Sequence, residues 1–179
     1  PYGDHGLQYT KRGGMSHAWR EGVGIYYLLS GDPDALAVLD GTAHAFSSPG
    51  LRFPTTMPTT GGFNYVRESG WTLDIIMFAY QVTGKQEYLD EAKRIVNELA
   101  RMEQLTINTL NPPGQGGFFL ESNAGGKSNV QTWTGGISME GVAKYYLVAK
   151  HVTPNEPTIE DAKGQIERYA RHLLRDYGP

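Results

Sequence analysis

Apolar residues recur along two stretches of the sequence with the three- and four-residue spacing of a helix that is buried on one side. Between positions 86 and 103 this apolar set is Tyr88, Leu89, Ala92, Ile95, Val96 and Leu99. Between positions 158 and 177 it is Ile159, Ala162, Ile166, Tyr169, Ala170 and Leu173. Charged residues fill the opposite face of both stretches. The pattern predicts two helices that each have one face in the core and one in solvent.

Three other segments, at 25–29, 75–80 and 145–149, are apolar nearly all round, which predicts helices enclosed by protein. Each precedes a turn and a second helical stretch, so the same helix–turn–helix unit occurs three times in the sequence. Tyr27 and Tyr80 are 53 residues apart, as are Gly31 and Gly84, and Tyr80 and Tyr146 are 66 apart. The two glycines have the place of left-handed caps at helix ends.

The predicted fold is all-α, built from consecutive antiparallel helical hairpins at about 16–46, 67–103 and 133–177. Stacked hairpins form either a solenoid or a closed ring. We therefore expect residues 1–179 to be a single α/α-toroid domain or a fragment of one. Short strand-like pieces at 51–53 and 117–120 are expected to add at most a minor hairpin.

Composition narrows the range of partners. The formal charge is −3, and the 16 Lys and Arg residues are scattered among 19 Asp and Glu, which argues against a nucleic-acid surface. No apolar run approaches the ~20 residues that a membrane helix needs, so no membrane insertion is expected. Cysteine is absent, and no metal or cofactor motif is found. The compartment stays open, with a secreted or bacterial periplasmic location favoured over the cytoplasm.

Aromatic and charged residues gather where the enclosed helices begin. All three tryptophans have this place, and the candidate substrate-binding residues are Trp19, Arg20, Arg67, Trp71 and Trp133. A pyranose ring has an apolar face that stacks on flat aromatic side chains and a polar rim that binds charged ones. The clustering indicates a poly- or oligosaccharide as the ligand.

Cleavage of a glycosidic bond needs a pair of acid and base groups facing one another. The candidate catalytic residues are Glu68, His17 and Glu21, and Asp74 and Glu140 are the further carboxylates near the same mouth. Elimination from a uronic acid would instead use a His or Tyr base and an arginine to neutralise the sugar carboxylate. Hydrolysis and elimination both stay open.

Each candidate also has a structural interpretation. The tryptophans can wedge neighbouring hairpins together, and His17 can cap a helix or lie satisfied in the core. Arg20 with Glu21, and Arg67 with Glu68, can form ion pairs between helices.

The segments 17–22, 26–32, 69–71 and 79–84 together resemble the six-hairpin glycosidase-like superfamily, in which similar ends of inner helices recur. The resemblance covers about 160 residues as a repeat pattern. It implies an (α/α) toroid and an activity among glucuronyl and rhamnogalacturonyl hydrolases, arabinofuranosidase-like enzymes or related polysaccharide lyases. A full ring has six hairpins, and this sequence contains about half of one.

The leading hypothesis is thus a glycoside hydrolase or polysaccharide lyase domain with its site at the mouth of the inner helices. The alternative is a non-catalytic helical scaffold that self-associates through its open hairpin ends into an oligomer or filament. A helical-repeat module that binds other proteins is the third reading, and it predicts no polar cluster at the inner-helix ends.

Overall fold

The computed structural model describes residues 21–47, 65–109 and 132–177, and in these ranges the chain forms α-helices and no strand. The helices are α1 (Glu21–Ser30), α2 (Pro33–Ser47), α3 (Tyr65–Thr83), α4 (Gln86–Thr109), α5 (Thr132–Val152) and α6 (Pro157–Tyr177). The predicted all-α class is confirmed. The strand-like pieces expected at 51–53 and 117–120 lie outside the described residues.

Two of the three turns end their first helix on a glycine in the left-handed conformation. Gly31 and Gly84 both have φ 68°, and each donates its N–H at 2.7 Å to the carbonyl of the tyrosine four residues earlier. Without a Cβ, glycine adopts this φ at no steric cost. The prediction of two glycine caps is confirmed. In the third turn, the N–H of Thr153 donates to the Ala149 carbonyl instead.

The helices form two layers of three. The inner layer is α1, α3 and α5, and the outer layer is α2, α4 and α6, with the two helices of each hairpin packed on each other. The inner helices run parallel, because contacts between them follow chain order. Gly24 of α1 lies against Phe78 of α3, and Tyr80 at the end of α3 lies beside Val148 near the end of α5.

The backbones of α3 and α5 approach each other closely at two glycines. A Cβ on Gly70 would overlap the carbonyl oxygen of Ile137, and one on Gly141 would lie 2.7 Å from the Gly70 oxygen. Two helix backbones can approach this closely only where neither carries a side chain at the crossing. Both glycines are buried, so the contact fixes the register of α3 against α5.

The outer helices pack as their periodicity predicts, with one correction. All six apolar residues predicted to face the core in α4 are buried, which confirms that face. In α6, Ile159, Ala162 and Tyr169 are buried, and Ile166 and Leu173 pack partly against the core. The prediction for Ala170 is wrong, since it is exposed. A small side chain at the margin of a helix face gains little from burial, so its spacing alone does not place it.

Polar contacts tie each outer helix to the next hairpin. The ammonium of Lys85 is 2.7 Å from both carboxylate oxygens of Asp40, and the Tyr88 hydroxyl donates to Asp40 Oδ1 at 2.6 Å. Arg168 donates two hydrogen bonds to the buried Glu103 carboxylate, at 2.6 and 2.7 Å. A bidentate arginine holds a buried carboxylate in one geometry.

The enclosure expected for all three inner helices holds for α3, fails for α1 and holds in part for α5. Ile75, Ile76, Met77 and Ala79 are buried, as predicted. On α1, Ile25 is 46% exposed and Leu29 83% exposed, so the prediction of an enclosed helix is wrong there, and on α5 Leu147 is 55% exposed between buried residues. The reason is position in the stack, because among the described helices α3 has an inner helix on both sides, whereas α1 and α5 each have one on one side.

Replacing Gly70 with alanine should destabilise the fold. The added methyl would meet the Ile137 backbone, which cannot move without shifting α5, and overpacking of this kind costs about 2 kcal/mol. The measurement is the free energy of unfolding by chemical denaturation. Gly41→Ala is the matched control: Gly41 is a helical glycine with nothing within 4 Å, and alanine there should stabilise by about 0.5–1 kcal/mol. Equal effects of the two substitutions would contradict this account of the crossing.

Candidate functional site

Three carboxylates, one from each inner helix, surround a single ammonium group. Lys144 Nζ lies 3.4 Å from Glu21 Oε1, 3.2 Å from Asp74 Oδ1 and 3.4 Å from Glu140 Oε1. Glu21 comes from α1, Asp74 from α3, and both Glu140 and Lys144 from α5. We call this set the carboxylate tier.

The repeat spacing explains why these residues meet. Glu21 and Asp74 are 53 residues apart, and Asp74 and Glu140 are 66 apart, the same separations that relate Tyr27, Tyr80 and Tyr146. Equivalent positions in parallel, stacked helices lie at one level. The glycine crossing of α3 and α5 sets that level, and Lys144, one turn after Glu140, reaches across to the other two helices.

Asp74 is the buried member of the tier, with 18% of its side chain exposed. Burial raises the pKa of its carboxyl from 3.8 to about 6, although the nearby charge of Lys144 opposes the shift. Oδ1 is buried and meets the geometric criteria for no hydrogen bond from the described residues, although the Lys144 ammonium lies 3.2 Å away. A carboxyl group with this pKa exchanges its proton close to neutral pH.

The other members of the tier are more open. Glu21 and Glu140 have side chains 55% and 59% exposed, so the tier has a buried floor and two accessible carboxylates. Burial acts to lower the pKa of Lys144, but the charges of Asp74, Glu21 and Glu140 outweigh it and hold the pKa above the usual value. Lys144 therefore carries its positive charge throughout the physiological pH range.

Beyond the tier, toward the C-terminal ends of the inner helices, the same faces become apolar. The positions that follow the tier carry Ile25 and Leu28 on α1, Phe78 on α3 and Leu147 on α5, with the polar Gln81 as the exception. Between the ends of α3 and α5 lies an open depression of about 560 Å³, lined by Tyr80, Gln81, Gly84, Leu147, Val148, His151 and Val152. It is well removed from the carboxylates, since Leu147 follows Glu140 by two helical turns.

The structure places the predicted site residues unequally. Glu21 belongs to the carboxylate tier. His17, Trp19 and Arg20 lie outside the described residues, and Trp133 is in the first turn of α5 with its side chain outside them. The predicted grouping of the three tryptophans therefore stays a prediction.

Arg67, Glu68 and Trp71 all lie in the first two turns of α3. The Arg67 guanidinium is 5.4 Å from the centre of the Trp71 ring, and only 6% of Trp71 is exposed. Arg67 precedes Asp74 by seven residues and so shares its helix face, closer to the N-terminal end. Glu68 is half-buried and lies about 120° round the helix from Asp74, so it does not join the carboxylate tier.

Sequence reasoning overlooked Lys144 and gave Asp74 no distinct role. The signal for Asp74 was present, because Glu21, Asp74 and Glu140 follow the two repeat separations. The signal for Lys144 was weaker, since its repeat equivalents are Ile25 and Phe78, and one charged residue breaks the apolar pattern only in α5.

Comparison with protein-family models, curated proteins and solved structures finds no match for this chain. In the part of the chain that the structure describes, no three His, Asp or Glu side chains are arranged to hold a metal ion. The same ranges contain no helix long and apolar enough to cross a membrane. The groups present at the tier, three carboxyl groups beside a fixed positive charge, are suited to proton transfer.

The Asp74 carboxyl should titrate near pH 6 in the folded protein, as followed by NMR of its side-chain carbon. Because its folded pKa lies above its unfolded value, the folded state binds the extra proton between about pH 4 and 6, and its contribution to stability falls as the pH rises through that window. Asp74→Asn should therefore stabilise the protein at pH 7, by about 2 kcal/mol.

Two substitutions test whether the charge of Lys144 influences the pKa of Asp74. Lys144→Met should raise the pKa of Asp74 further, because it removes the nearest positive charge. Lys163→Met, at an exposed lysine of α6, should leave it unchanged. An Asp74 pKa that stays near 4 in the parent protein would contradict the burial of this carboxyl.

Proposed function

We propose that this chain is a carbohydrate-active domain of the toroid type, acting on a poly- or oligosaccharide at the mouth of its inner helices. The observation that carries the proposal is the carboxylate tier, in which Asp74 has a raised pKa and two open carboxylates face the same space. Pairs of carboxyl groups with unequal pKa values are how proteins divide acid and base roles in glycosidic cleavage. The resemblance to the six-hairpin glycosidase-like superfamily points the same way.

In the proposed hydrolysis, protonated Asp74 donates its proton to the glycosidic oxygen as the bond to the sugar carbon breaks. Glu140 or Glu21, ionised, takes a proton from the water that attacks that carbon. Asp74 loses one proton and the glutamate base gains one. A single proton transfer from that base to Asp74 therefore restores the starting state of the tier. The ammonium of Lys144 lies 3.4 Å from each of the two open carboxylates and holds them in position.

The pairing of Lys144 with three carboxylates favours hydrolysis over elimination. Elimination requires a cation free to neutralise the carboxylate of a uronic acid, and Lys144 already faces three carboxylates. The apolar positions past the tier, Ile25 and Phe78, suit the C–H face of a sugar ring.

The test is turnover on a panel of neutral and uronate-containing oligosaccharides. Hydrolysis releases reducing ends alone, whereas elimination also creates a conjugated double bond that absorbs in the ultraviolet. Asp74→Asn and Glu140→Gln should each lower kcat at least a hundredfold, because an acid or base is worth about 10²–10⁴-fold. Glu160→Gln, on the exposed face of α6, is the control and should have no effect. No turnover by the parent chain on any substrate of the panel would overturn the catalytic proposal.

Glu68 remains a candidate catalytic residue and Trp71 a candidate for sugar binding, and both are tested by turnover and by titration with an oligosaccharide. Glu68→Gln should weaken binding severalfold. Trp71→Phe is used in place of alanine, because truncating a side chain only 6% exposed would cost about 3–5 kcal/mol of stability. Unchanged affinity in both variants would leave these residues with a structural role only.

A second candidate, the non-catalytic scaffold that self-assembles, is supported by the apolar face of α1. Ile25, Tyr26, Leu28 and Leu29 are all exposed. Soluble monomers rarely expose a contiguous apolar patch of this kind. A scaffold would assemble and bind no sugar, whereas the carbohydrate proposal requires binding whatever the state of assembly.

A further inference from the structure

The edge of α1 that faces away from α3 repeats an edge that is covered on α3. Tyr26 and Leu29 have the register of Ala79 and Val82, 53 residues later. Ala79 is fully buried and Val82 is packed against the core, whereas Tyr26 is 54% and Leu29 83% exposed. The positions that are covered on α3 are thus exposed on the same edge of α1.

The opposite end of the stack offers a matching surface on α5. Gly136 has the register of Gly70, which lies 66 residues earlier and admits α5 so closely. Gly22 lies on the open edge of α1. It is separated from Gly141, the other glycine of that crossing, by the sum of the two repeat separations, so the two glycines have the same register. A Cβ on Gly22 would meet nothing within 4 Å, and one on Gly136 only the Tyr169 hydroxyl at 3.7 Å. The two free ends therefore carry the two halves of the crossing seen between α3 and α5.

We infer that copies of this chain associate head to tail, the α1–α2 edge of one packing on the α5–α6 edge of another. Gly22 then crosses Gly136, and Tyr26 and Leu29 are buried. The inference rests on the scaffold candidate only for the exposed face of α1, and it is independent of any sugar chemistry. A heterologous contact of this kind closes a ring or extends as a filament, according to its rotation.

The experiment is sedimentation velocity on the full 179-residue chain over a concentration series. The parent chain should be larger than a monomer. Gly22→Leu and Gly136→Leu should each reduce it to a monomer, because either one blocks one side of the crossing. Gly41→Leu is the matched control: Gly41 is equally open on a helix, and it has the register of Arg94, which stays exposed in the middle hairpin. Circular dichroism checks folding, and Gly136→Ala replaces Gly136→Leu if the larger side chain disturbs Tyr169.

Mixing the two variants identifies the mode of association. Gly22→Leu keeps an intact α5 edge and Gly136→Leu an intact α1 edge, so the mixture should form a dimer that neither variant forms alone.

Two results would overturn the inference and point elsewhere. A parent chain that is monomeric throughout means that the α1 edge is covered within the chain or by another protein, and it removes the scaffold candidate as well. Assembly that is lost in Gly22→Leu but kept in Gly136→Leu means that two α1 edges pair with each other, which leaves the scaffold candidate standing.

Discussion

The close contact of α3 with α5 at Gly70 and Gly141 is the constraint on which the rest of this structure depends. Side-chain packing alone allows neighbouring helices to slide, but a backbone that lies on a backbone has one register. That register puts Asp74 level with Glu140 and aligns the outer helices so that Arg168 reaches Glu103. The first hairpin joins the same frame through Gly24 and Phe78, which brings Glu21 to the level of the other carboxylates.

The carboxylate tier is a consequence of repetition combined with a single departure from it. Repeated units place like residues side by side, and three carboxylates at one level repel each other. Lys144 offsets that repulsion from a position that carries apolar residues in the other two helices. The result is a buried acid, two open carboxylates and a fixed cation within one space, which is an unusual outcome for a structural ion pair. Isolated surface pairs such as Arg171 with Glu167 contribute little to stability and imply no function.

How much of this could be predicted from the sequence depends on the range of the interaction. The outer helix α4 and the caps at Gly31 and Gly84 were predictable, since periodicity and backbone conformation are local properties. The exposure of α1 was not, because an apolar segment does not show whether a neighbour lies beside it. The carboxylates were visible as candidates, yet Glu68 was preferred to Asp74 on proximity to Trp71, and only the packed register separates the two. Lys144 has no local pattern at all, and its role exists only once three helices are assembled.

The central claim is that the three inner helices run parallel at one level, and distances between spin labels test it most directly. The chain has no cysteine, so labels can be attached at engineered cysteines on exposed sites, Leu28 with Leu147 in one variant and Glu21 with Leu147 in another. Electron–electron double resonance should give the shorter distance for Leu28 with Leu147, because these positions are level, whereas Glu21 lies seven residues, or about 10 Å of helix rise, away from that level. The reverse order would mean that α1 and α5 do not share a direction, and the carboxylate tier would not exist.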